Sequence, residues 1–154
     1  MAIKMKSACV IGSGGFIGHN LVKRLKDEGW YVAGIDLKEP LFDKSPTDRY
    51  FVGDVRKMTA DWNEFNRIYN FAANMGGAGF VFTGDNDADI LTDSATINTH
   101  LLQELKRVDY KGTIFYSSSV CIYSSKATKN RATEEDAYPA SPDSNYGWEK
   151  IYSE

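Results

Sequence analysis

Short apolar runs alternate with longer amphipathic stretches along the chain, and glycine, proline or small polar residues mark most of the switches. Lys6 to Ile11 reads as a buried strand. Phe16 to Glu28 then sets Phe16, Ile17, Leu21, Val22 and Leu25 at helical spacing, and Gly29 ends that helix. Tyr31 to Asp36 is a second short apolar strand that finishes in a carboxylate, which completes a βαβ unit with parallel strands. Lys38 to Asp48 carries Pro40 and Pro46 and mixed charge, the composition of a loop. Arg49 to Asp54 predicts a third strand, Thr59 caps a short helix through Phe65, and Arg67 to Ala73 predicts a fourth strand followed by a flexible turn over Asn74 to Gly79. Asp87 to Val108 is the longest helical segment, with Ile90, Leu91, Ile97, Leu101, Leu102, Leu105 and Val108 forming a broad apolar face that ends near Gly112. Thr113 to Tyr123 is the fifth strand, Ser124 to Pro142 a polar loop, and Ser144 the cap of a last helix beginning near Asn145.

This alternation predicts a doubly wound α/β domain of the Rossmann type, a parallel sheet with strand order 3-2-1-4-5. The 154 residues, 42% hydrophobic and 25% charged, suffice for one such domain over residues 1–154 with a real core. A net charge of −3 without a basic stripe argues against nucleic acid as a partner. No apolar stretch is long enough for a membrane span, and the start Met1-Ala2-Ile3-Lys4-Met5-Lys6 lacks a signal-peptide pattern, so a cytoplasmic protein is expected. Two cysteines, Cys9 and Cys121, each within an apolar stretch, make no disulfide scaffold, and two isolated histidines, His19 and His100, make no metal site.

The first chemistry lies at the switch from strand one to helix one. Gly12-x-x-Gly15-x-x-Gly18 lets the chain turn sharply, admits a pyrophosphate to the backbone at the helix N-terminus, and allows the helix to pack close to the sheet. The strand before it, the helix after it and Asp36 at the end of the next strand give the glycine triplet its context. Asp36 can accept both adenosine ribose hydroxyls, whereas a 2′-phosphate would meet a like charge, so NAD is favoured over NADP. Asp54 and Arg56, after the third strand, are either neighbours of the adenine edge or a solvated charge pair.

The second chemistry lies near Glu154. Tyr146 and Lys150, four residues apart, share a helix face, and an ammonium beside a phenol whose free pKa is about 10 favours the phenolate. Ser119 and Cys121 stand two apart, on the same side of an extended strand. Taken alone, Ser119 is more commonly a strand-end serine satisfied by backbone, and Cys121 is equally a small core hydrophobe.

With these residues the chain resembles the extended short-chain dehydrogenase/reductase family over essentially its whole length. The likeness rests on Gly12 to Gly18 with Phe16-Ile17, on Asp36 and Asp54-x-Arg56, and on Asn70-Phe71-Ala72-Ala73-Asn74-Met75-Gly76-Gly77. It extends to Asn98, Ser117-Ser118-Ser119-Val120-Cys121-Ile122-Tyr123 and Tyr146-x-x-x-Lys150. Within that family it is most similar to the NAD-dependent nucleotide-sugar epimerases that act on GDP-mannose.

The resemblance implies that Gly12, Gly15, Phe16, Ile17, Gly18, Asp36, Asp54, Val55, Ala72, Ala73, Tyr146 and Lys150 border NAD. It implies that Met75, Gly76, Gly77 and Ser119 border a GDP-mannose-like nucleotide sugar. Tyr146 would take the proton of a sugar hydroxyl held by Ser119, and Cys121 would exchange carbon-bound protons beside a transient 4-keto group. Asn98 would support the tyrosine region, and the helix Asp87 to Val108 with the one carrying Tyr146 would form a homodimer contact. Extended members continue well past Lys150, so the chain is expected to lack a C-terminal substrate domain and a second acid/base lysine, and its fifth strand to present an exposed edge. Three readings follow: the cofactor part of an epimerase, a catalytically incompetent NAD-binding module, or a sibling dehydratase, decarboxylase or reductase. Cys121 and the Asn-Met-Gly-Gly turn favour the epimerase over the siblings.

Overall fold

Ser7–Ile11 (β1) is buried at every position because it lies in the middle of a five-stranded parallel sheet, paired on one side with Tyr31–Asp36 (β2) and on the other with Arg67–Asn70 (β4). Arg49–Val52 (β3) and Thr113–Tyr116 (β5) complete the order β3-β2-β1-β4-β5, as the alternation predicts. Val10 is in register with Gly34 on β2 and Tyr69 on β4. The computed structural model describes residues 5–40, 43–129 and 131–154. Met1 to Lys4, Leu41, Phe42 and Asn130 lie outside the described residues.

The helices are Phe16–Asp27 (α1), Ala78–Val81 (α2), Asp87–Arg107 (α3), Ser125–Lys129 (α4) and Asn145–Ser153 (α5). No described helix is long and apolar enough to cross a membrane. The chain divides into two compact units, one reaching to Ala72 with His100–Tyr116 added, the other made of Ala73–Thr99 and Ser117–Glu154. The first holds the sheet.

In the first unit, α1 packs Leu21, Val22 and Leu25 on Ala8, Val10 and Val32, with Trp30 closing the cluster. Each fully buried aliphatic side chain there contributes about 1.5–3 kcal/mol relative to exposure. Phe16 and Ile17, at the same helical spacing, are instead 69% and 59% exposed in the first turn of α1. The helix stops where Gly29 takes φ +77° and Trp30 N–H bonds Leu25 O at 3.0 Å, a Schellman closure.

Several elements depart from the sequence expectations. β3 and β4 end at Val52 and Asn70, short of Asp54 and Ala73. Thr59 caps no helix; Asp54 and Asp61 instead cap two 3-10 turns, Val55–Lys57 and Trp62–Glu64, with side chains that reach their own backbone two residues on. The turn after β4 contains α2, and the loop from Ser124 to Pro142 contains α4 and a 3-10 turn over Glu134–Ala137. β5 stops at Tyr116, and Ile114 and Phe115 on this edge strand are 39% and 47% exposed.

α3 runs within one residue of the expected span. Asp87 and Asp89 in its first turn and Lys106 and Arg107 in its last complement the helix dipole. Ile90, Ile97, Leu101 and Leu105 form its buried face, while Leu102 is exposed. α5 begins where predicted, with Ser144 Oγ accepting the Gly147 N–H at 3.2 Å.

Candidate functional site

In the first unit the glycine turn follows β1 directly. Gly12 takes φ +80°, and a Cβ on it would stand 2.9 Å from the backbone of Phe71 and Ala72. A Cβ on Gly18 would stand 2.2 Å from Gly12 O, so this glycine lets α1 fold back onto the turn. Gly15 differs from both: it caps α1 with ordinary backbone angles and no side-chain cap, and an added Cβ would meet only Gly12 O at 3.4 Å. The space beside Gly15, at the N-terminus of a three-turn helix, is what a pyrophosphate needs. The residues present therefore fit a dinucleotide.

Asp36 ends β2 beside this turn and accepts the Gly14 N–H through Oδ2 at 2.9 Å. The carboxylate is thus held at the turn where an adenosine ribose would arrive. Asp54 is capped and paired: it accepts Arg56 N–H at 3.0 Å and the Arg56 guanidinium at 2.8 Å, and those bonds hold its carboxyl below the usual range. Val55 is buried, and Ala72, which donates its N–H to Asn70 Oδ1 at 3.1 Å, is half-buried. Among the other side chains of this unit, burial pushes the Cys9 thiol up and His19 is buried in α1.

In the second unit, α5 places Tyr146, Glu149, Lys150 and Ser153 along one face at helical spacing, and the first three are buried. Tyr146 packs with Val81 and Ile90, against the partly buried Phe80 and Cys121. Its hydroxyl points to Met75 Sδ at 3.7 Å and interacts with Ser119. Lys150 Nζ donates to Ser117 O at 3.1 Å and lies 5.5 Å from the Tyr146 ring centroid. The structure thus gathers Tyr146, Lys150, Ser119, Cys121 and Met75. Gly76 packs on Phe80, where a Cβ would meet that side chain at 2.8 Å, and Gly77 has open space around it.

Two expectations change. Ser119 and Cys121 are not on an extended strand: Ser119 caps a 3-10 turn over Val120–Ile122, its Oγ accepting the Cys121 N–H at 3.1 Å. Gly147 is the reason α5 approaches this turn, since a Cβ on it would stand 2.1 Å from Cys121 O. Nor is Tyr146 drawn on balance toward the phenolate. Burial dominates and raises the Tyr146 pKa; Ser119 works against that shift, while Cys121 and Glu149 add to it. Burial likewise lowers Lys150, and Glu149 opposes it.

Glu149 is the residue that sequence reasoning missed. It is 1% exposed, and its Oε1 accepts Asn98 Nδ2 at 3.0 Å and Ser153 Oγ at 2.7 Å. Asn98, expected to support the tyrosine region, donates to this carboxylate on the helix that carries Tyr146. The signal was available, because Glu149 and Ser153 fall on the Tyr146–Lys150 helix face.

Comparison with known proteins adds an independent line. The model of the NAD dependent epimerase/dehydratase family matches residues 8–154. GDP-mannose 3,5-epimerase 1 of Oryza sativa subsp. indica is 34% identical over 153 residues, covering 94% of this chain and 40% of that protein. The Arabidopsis thaliana GDP-mannose 3,5-epimerase is 33% identical over 154 residues, with the same coverage of 94% and 40%. The chain therefore spans about 40% of the length of these curated relatives. Among solved structures, an NAD-dependent NDP-hexosamine 5,6-dehydratase of tunicamycin biosynthesis aligns with TM-score 0.79 at 22% identity, over 96% of this chain and 47% of that one. A Thermus thermophilus UDP-glucose 4-epimerase in complex with NAD aligns with TM-score 0.74 at 23% identity, over 96% and 48%. The likeness to these two is one of fold.

Proposed function

The chain belongs to the NAD dependent epimerase/dehydratase family, and we propose that it carries the NAD-binding and acid–base part of a nucleotide-sugar epimerase acting on a GDP-mannose-like substrate. The observation that carries this reading is the gathering of the half-buried Ser119 and Cys121 on the buried Tyr146, with Lys150 beside the tyrosine ring. NAD, when bound, supplies the hydride acceptor for oxidation at the sugar C4′ and returns what it accepts. The remaining work falls to side chains.

Gly12, Gly15 and Gly18 shape the turn that would admit the pyrophosphate, and Asp36 would accept the adenosine ribose hydroxyls. Ser119 orients the sugar hydroxyl. Tyr146 removes its proton and later gives one back, which requires the bound substrate to offset the burial that now keeps the phenol protonated. With C4′ as a ketone, the C3′ and C5′ hydrogens become acidic, and Cys121 exchanges one of them from its face of the ring. A thiol serves this step and has no part in a simple reduction, so Cys121 supports an epimerase over a sibling reductase.

The test is calorimetric titration of the 154-residue chain with NAD, followed by incubation with NAD and GDP-mannose in deuterium oxide. Saturable NAD binding and deuterium at C3′ or C5′, lost in Cys121→Ser, is the expected result. Absence of NAD binding overturns the proposal. NAD binding with elimination of water from the sugar points to a dehydratase, and NAD binding without any sugar chemistry to a binding module alone.

A further inference from the structure

Glu149 has no role in the chemistry above, yet it is the most deeply buried acidic side chain of α5 and neighbours Lys150 in sequence. Burying a carboxylate is costly unless hydrogen bonds and a counter-charge compensate it. Both are present, and they are divided between its two oxygens. Oε1 takes the donors Asn98 Nδ2 and Ser153 Oγ, and Asn98 Nδ2 also reaches Ser153 Oγ at 2.9 Å, so three side chains close a small ring around that one oxygen. Oε2 is buried and receives no hydrogen bond; Lys150 Nζ stands 3.8 Å from Glu149 Oε2, too far for a hydrogen bond and close enough for strong attraction in a dry site. The carboxylate is thus immobilised at one end and directs its other end at the ammonium.

We propose that Glu149 is a positioning residue for Lys150: pinned by Asn98 and Ser153, its carboxylate keeps the Lys150 ammonium charged and fixed beside the Tyr146 ring. The inference rests on the reading that Lys150 works with Tyr146, and it adds the residue that maintains Lys150 in the form that work requires. The charge balance agrees with the geometry. Burial alone pulls Lys150 toward the neutral amine, and Glu149 is the group that resists. The same carboxylate adds to the burial that keeps Tyr146 protonated. On α5 the titratable groups beside Lys150 include Glu149 and Tyr146. Asn98 of α3 acts on it through Glu149, and the neutral Ser117 carbonyl, after β5, accepts its hydrogen bond. Cys121, on the 3-10 turn, acts on Tyr146.

The experiment needs neither NAD nor sugar. The full chain, labelled with 13C-lysine, is titrated by NMR, and the Lys150 Cε resonance is identified by its loss in Lys150→Met. In Glu149→Gln, an isostere that keeps the acceptor for Asn98 and Ser153, the Lys150 midpoint should fall by one pH unit or more, a tenfold loss of proton affinity. An unchanged or higher midpoint overturns the proposal. Should Glu149→Gln not fold, the unmodified chain decides: the Glu149 Cδ shift at pH 7 should be that of a carboxylate, and the shift of a protonated carboxyl overturns the proposal. Failure of NAD binding would overturn the proposed function and leave this titration intact, whereas an unchanged midpoint alongside NAD binding would sink this inference alone.

Discussion

Gly15 and Gly18 are three residues apart in one motif, and the structure gives them opposite jobs that substitution separates. A Cβ on Gly18 would stand 2.2 Å from Gly12 O and 2.9 Å from Gly12 C, and backbone atoms in a tight turn cannot rotate aside. Overpacking of that kind costs about 3 kcal/mol. Alanine in a helix interior returns about 1 kcal/mol over glycine. Gly18→Ala should therefore lose about 2 kcal/mol, which lowers Tm by about 4–8 °C for a chain of this size. Gly15→Val meets only an ordinary contact at 3.4 Å from Gly12 O, with φ −78°. The expected cost is that of a poorer N-cap, about 1 kcal/mol or 2–4 °C. The same valine fills the space proposed for the pyrophosphate and should weaken NAD binding by about 100-fold or more, roughly 2.7 kcal/mol. Circular dichroism melting and calorimetric titration with NAD read the two effects separately. Undiminished NAD affinity in Gly15→Val would refute the placement of the pyrophosphate. A Gly18→Ala protein that melts with the parent would refute the steric account of the turn.

The same accounting applied to Gly147→Ala, whose Cβ would stand 2.1 Å from Cys121 O and 2.8 Å from Pro142 Cβ, gives a loss of about 2 kcal/mol by thermal melting; an unaltered melt would mean that α5 does not need this close approach. Asp54 carries the acid-side prediction. Its folded pKa lies below the unfolded value of about 3.9, so its contribution is present above that value and is lost as pH falls through the lower, folded one. Asp54→Asn keeps a cap and should lose about 1 kcal/mol at pH 7. It should also show a shallower fall in stability below about pH 4, measured by urea unfolding across pH. Parallel pH profiles for the two proteins would refute the pairing.

The sheet was legible in the sequence because parallel strands buried on both faces must be short apolar runs, and β1 and β2 are written that way. Strand ends were not. Phe71 to Ala73 and Ser117 to Tyr123 have the composition of strand, but Asn70 and Ser119 turn their side chains onto backbone N–H groups two residues on and compete with the ladder. The same local chemistry at Asp61 made a 3-10 turn within the span read as a short helix from Thr59 through Phe65, and at Asp54 it made another just before that span. The glycine turn was legible residue by residue, though the pattern could not tell Gly15, which has room, from Gly18, which has none. The Tyr146–Lys150 pair was legible as a shared helix face. Its electrostatics were not, because a pairwise rule supplies the ammonium's pull on a phenol and omits the cost of desolvating it.

The cap at Ser119 has a directional consequence. A serine hydroxyl owns one hydrogen and two lone pairs, and here a lone pair is committed to the Cys121 N–H. The second lone pair and the hydrogen remain for other partners. Given to Tyr146, that hydrogen favours the phenolate, and this is the sense in which Ser119 acts on the phenol. A three-residue turn, which a topology diagram would omit, thereby holds the one hydroxyl that works against the burial of the phenol.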